Sequence, residues 1–320
     1  MTTSILLTGS AGFIGSHLAE ALLSRGDEVF GVDNFNEAYD PARKRRNVEE
    51  IQRAWPRFQM EAGDIRDAAF LDRLCEGRRF DAIIHLAAMA GVRVSVDQPQ
   101  PYVEVNVGGL LNVLELARRH RIPRVVFASS SSVYGHQARV PFREEAPVGW
   151  PLSPYAATKQ MGETLCSTWH YLHGLQISAL RFFTVYGPRQ RPDMAIHRFA
   201  RQIINGEPLI IYGNHSGLRD YTFVTDIVRG VIAALDRCRG FEIYNLASGQ
   251  GVPLREMISL LARELGVEPQ LHIQPAVPGD MPETGADLSK ARDRLGYAPS
   301  VQIQEGLQRF VAWFNQEHRR

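Results

Sequence analysis

Tyr155 and Lys159 lie four residues apart in a segment with helical patterning. Side chains at this spacing share one face of a helix, so the phenol and the ammonium project together. A free phenol has a pKa of about 10, and a neighbouring cation favours the phenolate. The pair therefore predicts a general base for a hydroxyl proton, against the plainer alternative of a surface i,i+4 pair.

A run of serines, Ser129 to Ser132, follows the apolar segment Val125-Val126-Phe127 and precedes Tyr155 in the chain. If that segment is a strand of an open α/β sheet, the hydroxyls stand at its carboxyl end, where ligands bind in such sheets. Ser130 is then placed to move a proton together with Tyr155 and Lys159. A serine run alone is more often a plain loop, and its position upstream of the Tyr/Lys pair favours the functional interpretation.

Three glycines, Gly9, Gly12 and Gly15, open a predicted helix directly after the first apolar run, and Phe13 and Ile14 lie between them. This spacing is a variant of the dinucleotide fingerprint, in which the helix N-terminus receives the pyrophosphate. Asp33 ends the next predicted strand and is placed to accept bonds from the adenosine ribose, which favours NAD over NADP. The alternative for Asp33 is an ordinary turn residue.

Two further segments are placed to meet the same cofactor. Asp64 and Ile65 follow the third predicted strand on the adenine side. Leu86, Ala87 and Ala88 follow the fourth, and their small side chains let the backbone approach the ligand.

The elements that would position these residues alternate between β-rich runs and amphipathic segments, which indicates βαβ units and a Rossmann-like, doubly wound parallel sheet. Continuous apolar runs such as Ile83-Ile84 are typical of strands covered on both faces. The predicted strands are residues 4–8, 28–33, 58–62, 81–86, 123–129, 177–183 and 242–247, and the clearest helices are 14–25, 67–76, 103–120 and 155–173.

This alternation ends after about residue 184, where Gly-Pro and other Pro-containing turns become frequent. Later helices are predicted at 253–265 and 302–317, with a Pro-rich stretch around Pro275 and Pro278 between them. We therefore expect a Rossmann domain of residues 1–185 plus 223–250, and a smaller, discontinuous C-terminal substrate domain of residues 186–222 plus 251–320.

The composition is that of a soluble globular protein, with 44% hydrophobic residues and a formal net charge of +1, and the expected location is the cytoplasm. That charge gives no general attraction to nucleic acid or to an anionic membrane. The cysteines Cys75, Cys166 and Cys238 lack the spacing of a metal site or a disulfide framework, so no metal is expected. The basic run 43–46 is interpreted as a solvated face.

Taken in order, the motifs resemble those of the extended short-chain dehydrogenase/reductase family over essentially the full chain. They are the glycine motif, His85 to Ala88, Asn106, Ser130 to Gly135, Tyr155 with Lys159, and Arg219 to Tyr221. The resemblance implies a tightly held NAD, with Asn34 and Asn106 among the residues around it. It also implies a nucleotide-sugar substrate and a homodimer formed through two helices per subunit, here 103–120 and 155–173.

Within that family the chain is most similar to the UDP-glucuronate 4-epimerases. The motifs that carry this likeness are Asp33 to Asn36, Tyr39 to Pro41, Ala90 to Arg93, Arg181 to Pro188, Arg191 to Met194 and Pro278 to Thr284. The resemblance implies that Ser131, Ser132, Thr184 and Arg191 surround a sugar carboxylate. It also places Arg93 in the sugar site, Arg219 and Asp280 at the UDP group, and Tyr212 near the uracil.

We therefore expect NAD-dependent epimerisation at C4 of a UDP-sugar, from UDP-glucuronate to UDP-galacturonate, through a transient 4-keto sugar. The serines at 131 and 132 differ from the acidic residues of related dehydratases and decarboxylases. A UDP-glucose or UDP-N-acetylglucosamine 4-epimerase is the first alternative, although Thr184 stands where that group has Asn, and Val277 where it has Arg. The second is a catalytically silent NAD-binding regulator, and Arg191 has the alternative role of an interdomain ion pair.

Overall fold

The predicted β-rich runs form one seven-stranded parallel sheet in a computed structural model, which describes residues 2–136, 139–212, 217–274 and 283–318. The strands are β1 (Ser4–Thr8), β2 (Glu28–Asp33), β3 (Gln59–Ala62), β4 (Ala82–His85), β5 (Arg124–Ser130), β6 (Gln176–Phe182) and β10 (Phe241–Leu246). Their order in the sheet is β10-β6-β5-β4-β1-β2-β3, so the chain reverses its direction of winding beside β1. The Rossmann-like fold class is confirmed.

Both faces of this sheet are buried, as the continuous apolar runs predict. Leu6, Ile83 and Val125 belong to one hydrophobic cluster, whereas their neighbours Leu7, Ile84 and Val126 belong to the other. The helices that cover the sheet are α1 (Phe13–Arg25), α2 (Pro41–Ala54), α3 (Ala68–Leu74), α4 (Val92–Asp97), α5 (Pro99–Val103), α6 (Leu110–Arg119), α7 (Pro154–His173) and α9 (Val224–Asp236).

The predicted helix 103–120 is interrupted. A π-helical segment, Glu104–Gly109, separates α5 from α6. Its Asn106 side chain bonds to the backbone of Met89 and to Thr158, and a Cβ on Gly109 would lie 2.5 Å from the Ile65 side chain. These long-range contacts fix a local backbone that helical periodicity alone does not reveal.

The remaining strands build two small sheets beyond the carboxyl edge of the large one. β7 (Thr184–Tyr186) pairs in parallel with β9 (Leu218–Phe223), which pairs antiparallel with β11 (Gly251–Pro253). β8 (Leu209–Tyr212) pairs with β12 (Leu271–Gln274). The helices of this part are α8 (Ala195–Ile204), α10 (Leu254–Leu265), α11 (Ser289–Leu295) and α12 (Ile303–His318). Among the described residues, no helix is both long and apolar enough to span a bilayer.

Candidate active site

The turn after β1 brings the sheet and α1 close together. Gly9 has a φ of +73°, and a Cβ there would lie 2.8 Å from the backbone nitrogen of Ala87. Gly12 is the N-cap of α1 and has no side chain to accept a hydrogen bond from the first helical turn. The N–H groups of that turn are therefore available to an anionic ligand beside the positive end of the helix dipole.

Asp33 stands at the carboxyl end of β2 and is only 7% exposed. One of its oxygens accepts a 2.9 Å bond from the Phe35 N–H, and Lys44 Nζ lies 3.7 Å from the same oxygen. Lys44 is itself 5% exposed and donates to the backbone and side-chain oxygens of Asn36. The Asp33 carboxylate can accept hydrogen bonds from ribose hydroxyl groups. Its negative charge would repel a 2′-phosphate, and the positive charge of Lys44 compensates part of that repulsion.

The burial of Lys44 corrects the interpretation of residues 43–46 as a solvated face. Successive side chains on a helix point about 100° apart, so four adjacent basic residues cannot all face solvent when one side of the helix packs inward. In α2 the inward side carries Lys44, Asn47, Val48 and Ile51.

The reacting centre is built from β5 and α7. Ser153 caps α7 by accepting a bond from the Ala156 N–H, and Pro154 occupies the first turn. Tyr155 and Lys159, four residues apart, lie on one side of this helix, and Lys159 reaches β5 of the sheet. Lys159 Nζ donates a 2.7 Å bond to the Ala128 carbonyl oxygen and lies 5.9 Å from the Tyr155 ring centre. Tyr155 is half-buried and lines the central cavity.

Ser130 meets the phenol from the end of β5. Ser130 and Tyr155 line the same cavity, and Ser130 Oγ accepts hydrogen bonds from the backbone N–H and the hydroxyl group of Ser132. Burial raises the pKa of Tyr155, while the nearby Ser130 hydroxyl and the charge of Arg191 oppose that rise. The protein groups alone thus do not give the low phenol pKa that the pairing with lysine suggests.

Burial also acts on Lys159, whose pKa falls to about 8, with the negative charge of Glu163 in opposition. Glu163 accepts bonds from Ser129 Oγ at 2.5 Å and from the Arg181 guanidinium at 2.8 and 2.9 Å. Ser129, Glu163 and Arg181 are all buried. Sequence reasoning missed this network, although Glu163 lies four residues beyond Lys159 on the same helix face.

These groups surround one cavity of about 510 Å³ at the carboxyl ends of the central strands. The residues predicted to bind cofactor that line it are Gly9, Gly12, Phe13, Ile14, Gly15, Asp33, Asn34, Ile65, Leu86, Ala87, Ala88, Tyr155 and Lys159. The position next to β1, where the winding reverses, is where ligands bind in sheets of this kind.

Two predicted cofactor residues lie outside that lining. Asp64 forms an ion pair with Arg66 and accepts a bond from Asn34, which does line the cavity. Asn106 is buried, and its amide holds the Met89 backbone at 2.8 and 3.0 Å. Both side chains therefore support residues of the cavity wall.

The predicted substrate residues are divided in the same way. Ser131, Ser132, Thr184, Arg191 and Arg219 line the cavity. Arg93 is exposed on α4 and does not. Asp280 and the Tyr212 side chain lie outside the described residues, as do Val277 and the Pro-rich stretch around Pro275 and Pro278.

Arg191 reaches the cavity from the loop after β7. Its guanidinium bonds to the Asp193 carboxylate at 2.7 and 3.0 Å and to the Ala90 carbonyl oxygen at 3.2 Å. The ion pair is therefore local, and does not bridge two domains. Tyr39, Lys44, Asp193 and Thr284 also line the cavity but were not predicted as site residues.

The residues present fit a dinucleotide. The glycine turn and the start of α1 can receive a pyrophosphate, and Asp33 can receive an adenosine ribose. Ser130, Tyr155 and Lys159 lie in the same cavity, where the other end of the ligand would meet a substrate.

Comparisons with known proteins agree with this geometry. A family model described as GDP-mannose 4,6 dehydratase matches residues 6–310. UDP-glucuronate 4-epimerase 3 of Arabidopsis thaliana is 42% identical over 97% of this chain and 76% of its own length. UDP-glucuronate 4-epimerase of Thermodesulfobacterium geofontis is 43% identical over 96% of this chain and 95% of its own.

Among solved structures, the chain is similar to UDP-glucuronic acid 4-epimerase from Bacillus cereus in complex with UDP-glucuronic acid and NAD. The TM-score is 0.92 and the identity 37%, over 98% of this chain and 99% of that one.

Proposed function

The chain belongs to the GDP-mannose 4,6-dehydratase-like family of extended short-chain dehydrogenases/reductases, and on that premise we propose that it is an isomerase that epimerises UDP-glucuronate at C4 with NAD as resident cofactor. The relatives named above support this activity. The observation that carries the proposal is the set of side chains that line one cavity. Ser130, Tyr155 and Lys159 lie there together with Thr184 and Arg191, so proton-transfer groups and a cation for a carboxylate share one space.

NAD, when bound, supplies a hydride acceptor and donor for the sugar C4. The glycine turn, the start of α1 and Asp33 would hold it. Tyr155 takes the proton of the C4 hydroxyl, and the Ser130 hydroxyl in the same cavity orients that hydroxyl group. Lys159 places a positive charge beside the phenol and is itself fixed by the Ala128 carbonyl group. The same groups return the proton once the 4-keto sugar has turned over.

The sugar carboxylate makes a special demand on the site, because the 4-keto intermediate is a β-keto acid that can lose carbon dioxide. Directional bonds from a guanidinium and from hydroxyl groups hold the carboxylate in an orientation that disfavours this loss. We assign that role to Arg191, Thr184 and the hydroxyls of Ser131 and Ser132, and the UDP end to Arg219 together with Asp280 and Tyr212.

We further propose that residues 186–222 plus 251–320 act as the sugar-binding domain, which supplies Arg191 and Arg219 to the cavity. A homodimer through the helical segments 103–120 and 155–173 is part of the proposal. Val103, Leu111 and Met161 are 47%, 37% and 50% exposed on α5, α6 and α7, and α7 packs against both α5 and α6. The three unpaired cysteines favour a reducing, cytoplasmic location.

The test is to incubate the purified protein with UDP-glucuronate and to follow the C4 configuration by proton NMR. We expect UDP-galacturonate to accumulate to an equilibrium mixture without net consumption of NAD. UDP-glucose serves as the parallel substrate. Turnover of UDP-glucose alone would refute the choice of substrate, and bound NAD without turnover of either sugar would refute the enzymatic function.

A further inference from the structure

The guanidinium assigned to the sugar carboxylate already holds a carboxylate of the protein. Arg191 Nε donates to Asp193 Oδ1 at 3.0 Å, and Nη2 donates to Oδ2 at 2.7 Å. Two parallel bonds of this kind are the strongest arrangement between arginine and a carboxylate. Both residues line the cavity, so this pair stands within the proposed sugar site.

The Arg191 guanidinium makes a further contact on the edge that does not face Asp193. A guanidinium can grip a carboxylate with paired bonds through Nε and Nη2 or through Nη1 and Nη2. Asp193 takes the first edge, and the bond from Nη2 to the Ala90 carbonyl oxygen, 3.2 Å long, engages the Nη2 donor of the second. A sugar carboxylate therefore obtains a paired grip only when one of these contacts gives way.

Asp193 is the partner better suited to leave. Its side chain is 45% exposed, so water can solvate it once it has moved, whereas the Arg191 side chain is only 18% exposed. A guanidinium at that depth is stabilised by a counter-ion and loses stability when left without one. The exchange of one carboxylate for another avoids that unpaired state.

We infer that Asp193 is an exchange partner for the substrate carboxylate, taking over the Arg191 guanidinium whenever the sugar releases it. This inference rests on the proposed function. In that reaction the sugar turns over while only the UDP end stays gripped, so the bond between Arg191 and the sugar carboxylate breaks and re-forms in every turnover. Asp193 keeps the guanidinium paired during the turn and lowers the barrier to it.

The role of Asp193 extends only to acidic sugars. A sugar with a neutral hydroxymethyl group at C6 has no charge with which to displace a carboxylate from arginine. Asp193 then stays bound to Arg191, and the neutral sugar binds without a paired contact to the guanidinium. A purely structural role of Asp193 would instead affect acidic and neutral sugars alike.

The test uses the full-length Asp193→Asn protein loaded with NAD, with UDP-glucuronate and UDP-glucose as ligands. Asparagine keeps the size of the side chain but is a weaker acceptor, so the competitor for Arg191 is weakened. By calorimetry we expect UDP-glucuronate to bind on the order of tenfold more tightly than to the wild type, the scale that separates charged from neutral acceptors. The affinity for UDP-glucose stays within about twofold, and kcat for UDP-glucuronate falls although KM falls too.

Asp236→Asn is the matched control. Asp236 also pairs with an arginine, Arg25, and its side chain is 49% exposed at the surface, outside the cavity lining. We expect it to leave both affinities and kcat at wild-type values. Circular dichroism and the thermal midpoint establish that both variants are folded.

Three outcomes overturn the inference. Weaker binding of UDP-glucuronate by Asp193→Asn would mean that Asp193 only orients Arg191. Equal effects on both sugars would mean a general structural role, and wild-type behaviour would mean no role in exchange. In all three the wild type still epimerises UDP-glucuronate, so the proposed function survives. If the wild type neither binds nor converts UDP-glucuronate, both the function and the inference fail.

Discussion

Lys159 donates a 2.7 Å hydrogen bond from its Nζ to the carbonyl oxygen of Ala128. Ala128 lies in β5 two residues before Ser130, so this bond ties the ammonium of α7 to the strand that carries the serine hydroxyl. Tyr155 is one helical turn away from Lys159. One helix and one strand therefore set the relative positions of the phenol, the ammonium and the hydroxyl group. These three side chains are already arranged when a cofactor or a sugar binds.

Activity should decline as the pH rises through about 8. Burial lowers the pKa of Lys159 to about that value, so the lysine is charged below it and loses its proton above it. The neutral amine no longer favours the phenolate of Tyr155. Initial rates of UDP-glucuronate epimerisation between pH 6 and 10 measure this limb. Ser130→Ala should be slower yet keep the same alkaline limb, and a rate that stays constant to pH 10 would contradict the assignment.

Tyr155→Phe should lower kcat by roughly 10²- to 10⁴-fold, the usual contribution of a positioned general base. The ring remains, and its edge-on packing against Tyr102 at 6.2 Å is kept, so NAD should stay bound. The NMR assay gives the rate, and absorbance of the denatured supernatant gives the NAD content. Tyr171→Phe removes the same atom from an 86% exposed residue of the same helix and should retain full activity. Undiminished turnover of Tyr155→Phe would refute its role as base.

The sequence predicts this centre because its signals are local. Tyr155 and Lys159 share a helix face through their spacing alone, and the apolar run before Ser129 fixes the end of β5. Asp33 likewise follows from the end of β2. Lys44 could not be found in this way, since its burial depends on which side of α2 packs inward. The family resemblance points to Asn106, but local spacing does not predict the π segment around it, because that segment depends on contacts with Met89 and Thr158, distant in sequence.

The Arg191–Asp193 pair is only partly predictable from local sequence. Its two residues are close in the chain, so their ion pair is within reach of local reasoning, but the position of the loop in the cavity is set by tertiary contacts. Arg189, two residues before, bonds to Glu20 of α1 and Glu50 of α2. Those contacts fasten the loop to the Rossmann helices, and a sequence pattern does not report them.

Glu163→Gln should destabilise the protein by about 3–5 kcal/mol, the cost of removing one partner from a buried ion pair. Arg181 is 2% exposed and would be left facing a neutral amide, and Ser129 would lose its charged acceptor. Urea unfolding followed by circular dichroism measures the free energy. Glu305→Gln, in the exposed pair with Arg309, is the matched change and should cost less than about 1 kcal/mol. Equal losses in the two variants would contradict the structural importance of the buried network.

Arg191→Met should lower kcat/KM for UDP-glucuronate by roughly 10- to 100-fold, since hydrogen bonds to charged groups contribute about 1.5–3 kcal/mol. Methionine retains the apolar stem of the side chain but offers no donor. UDP-glucose has no carboxylate, so its binding affinity should change by less than about threefold. Steady-state rates and calorimetry with the two sugars separate these effects. An equal loss for both sugars would show that Arg191 supports the cavity and does not recognise the carboxylate.

Met161→Asp should convert the proposed dimer into a monomer. Met161 is 50% exposed on α7, two positions from the buried Lys159 and therefore on the opposite side of the helix. A charge there would be buried without a partner in an interface formed by α7 and its neighbours, which is strongly unfavourable.

Sedimentation velocity at micromolar concentration should show twice the chain mass for the wild type and the single-chain mass for the variant. Ile273→Asp places the same charge at a 63% exposed residue of β12 and should leave the dimer intact. A wild-type protein that sediments as a monomer, or a Met161→Asp protein that remains dimeric, would exclude this face as the interface.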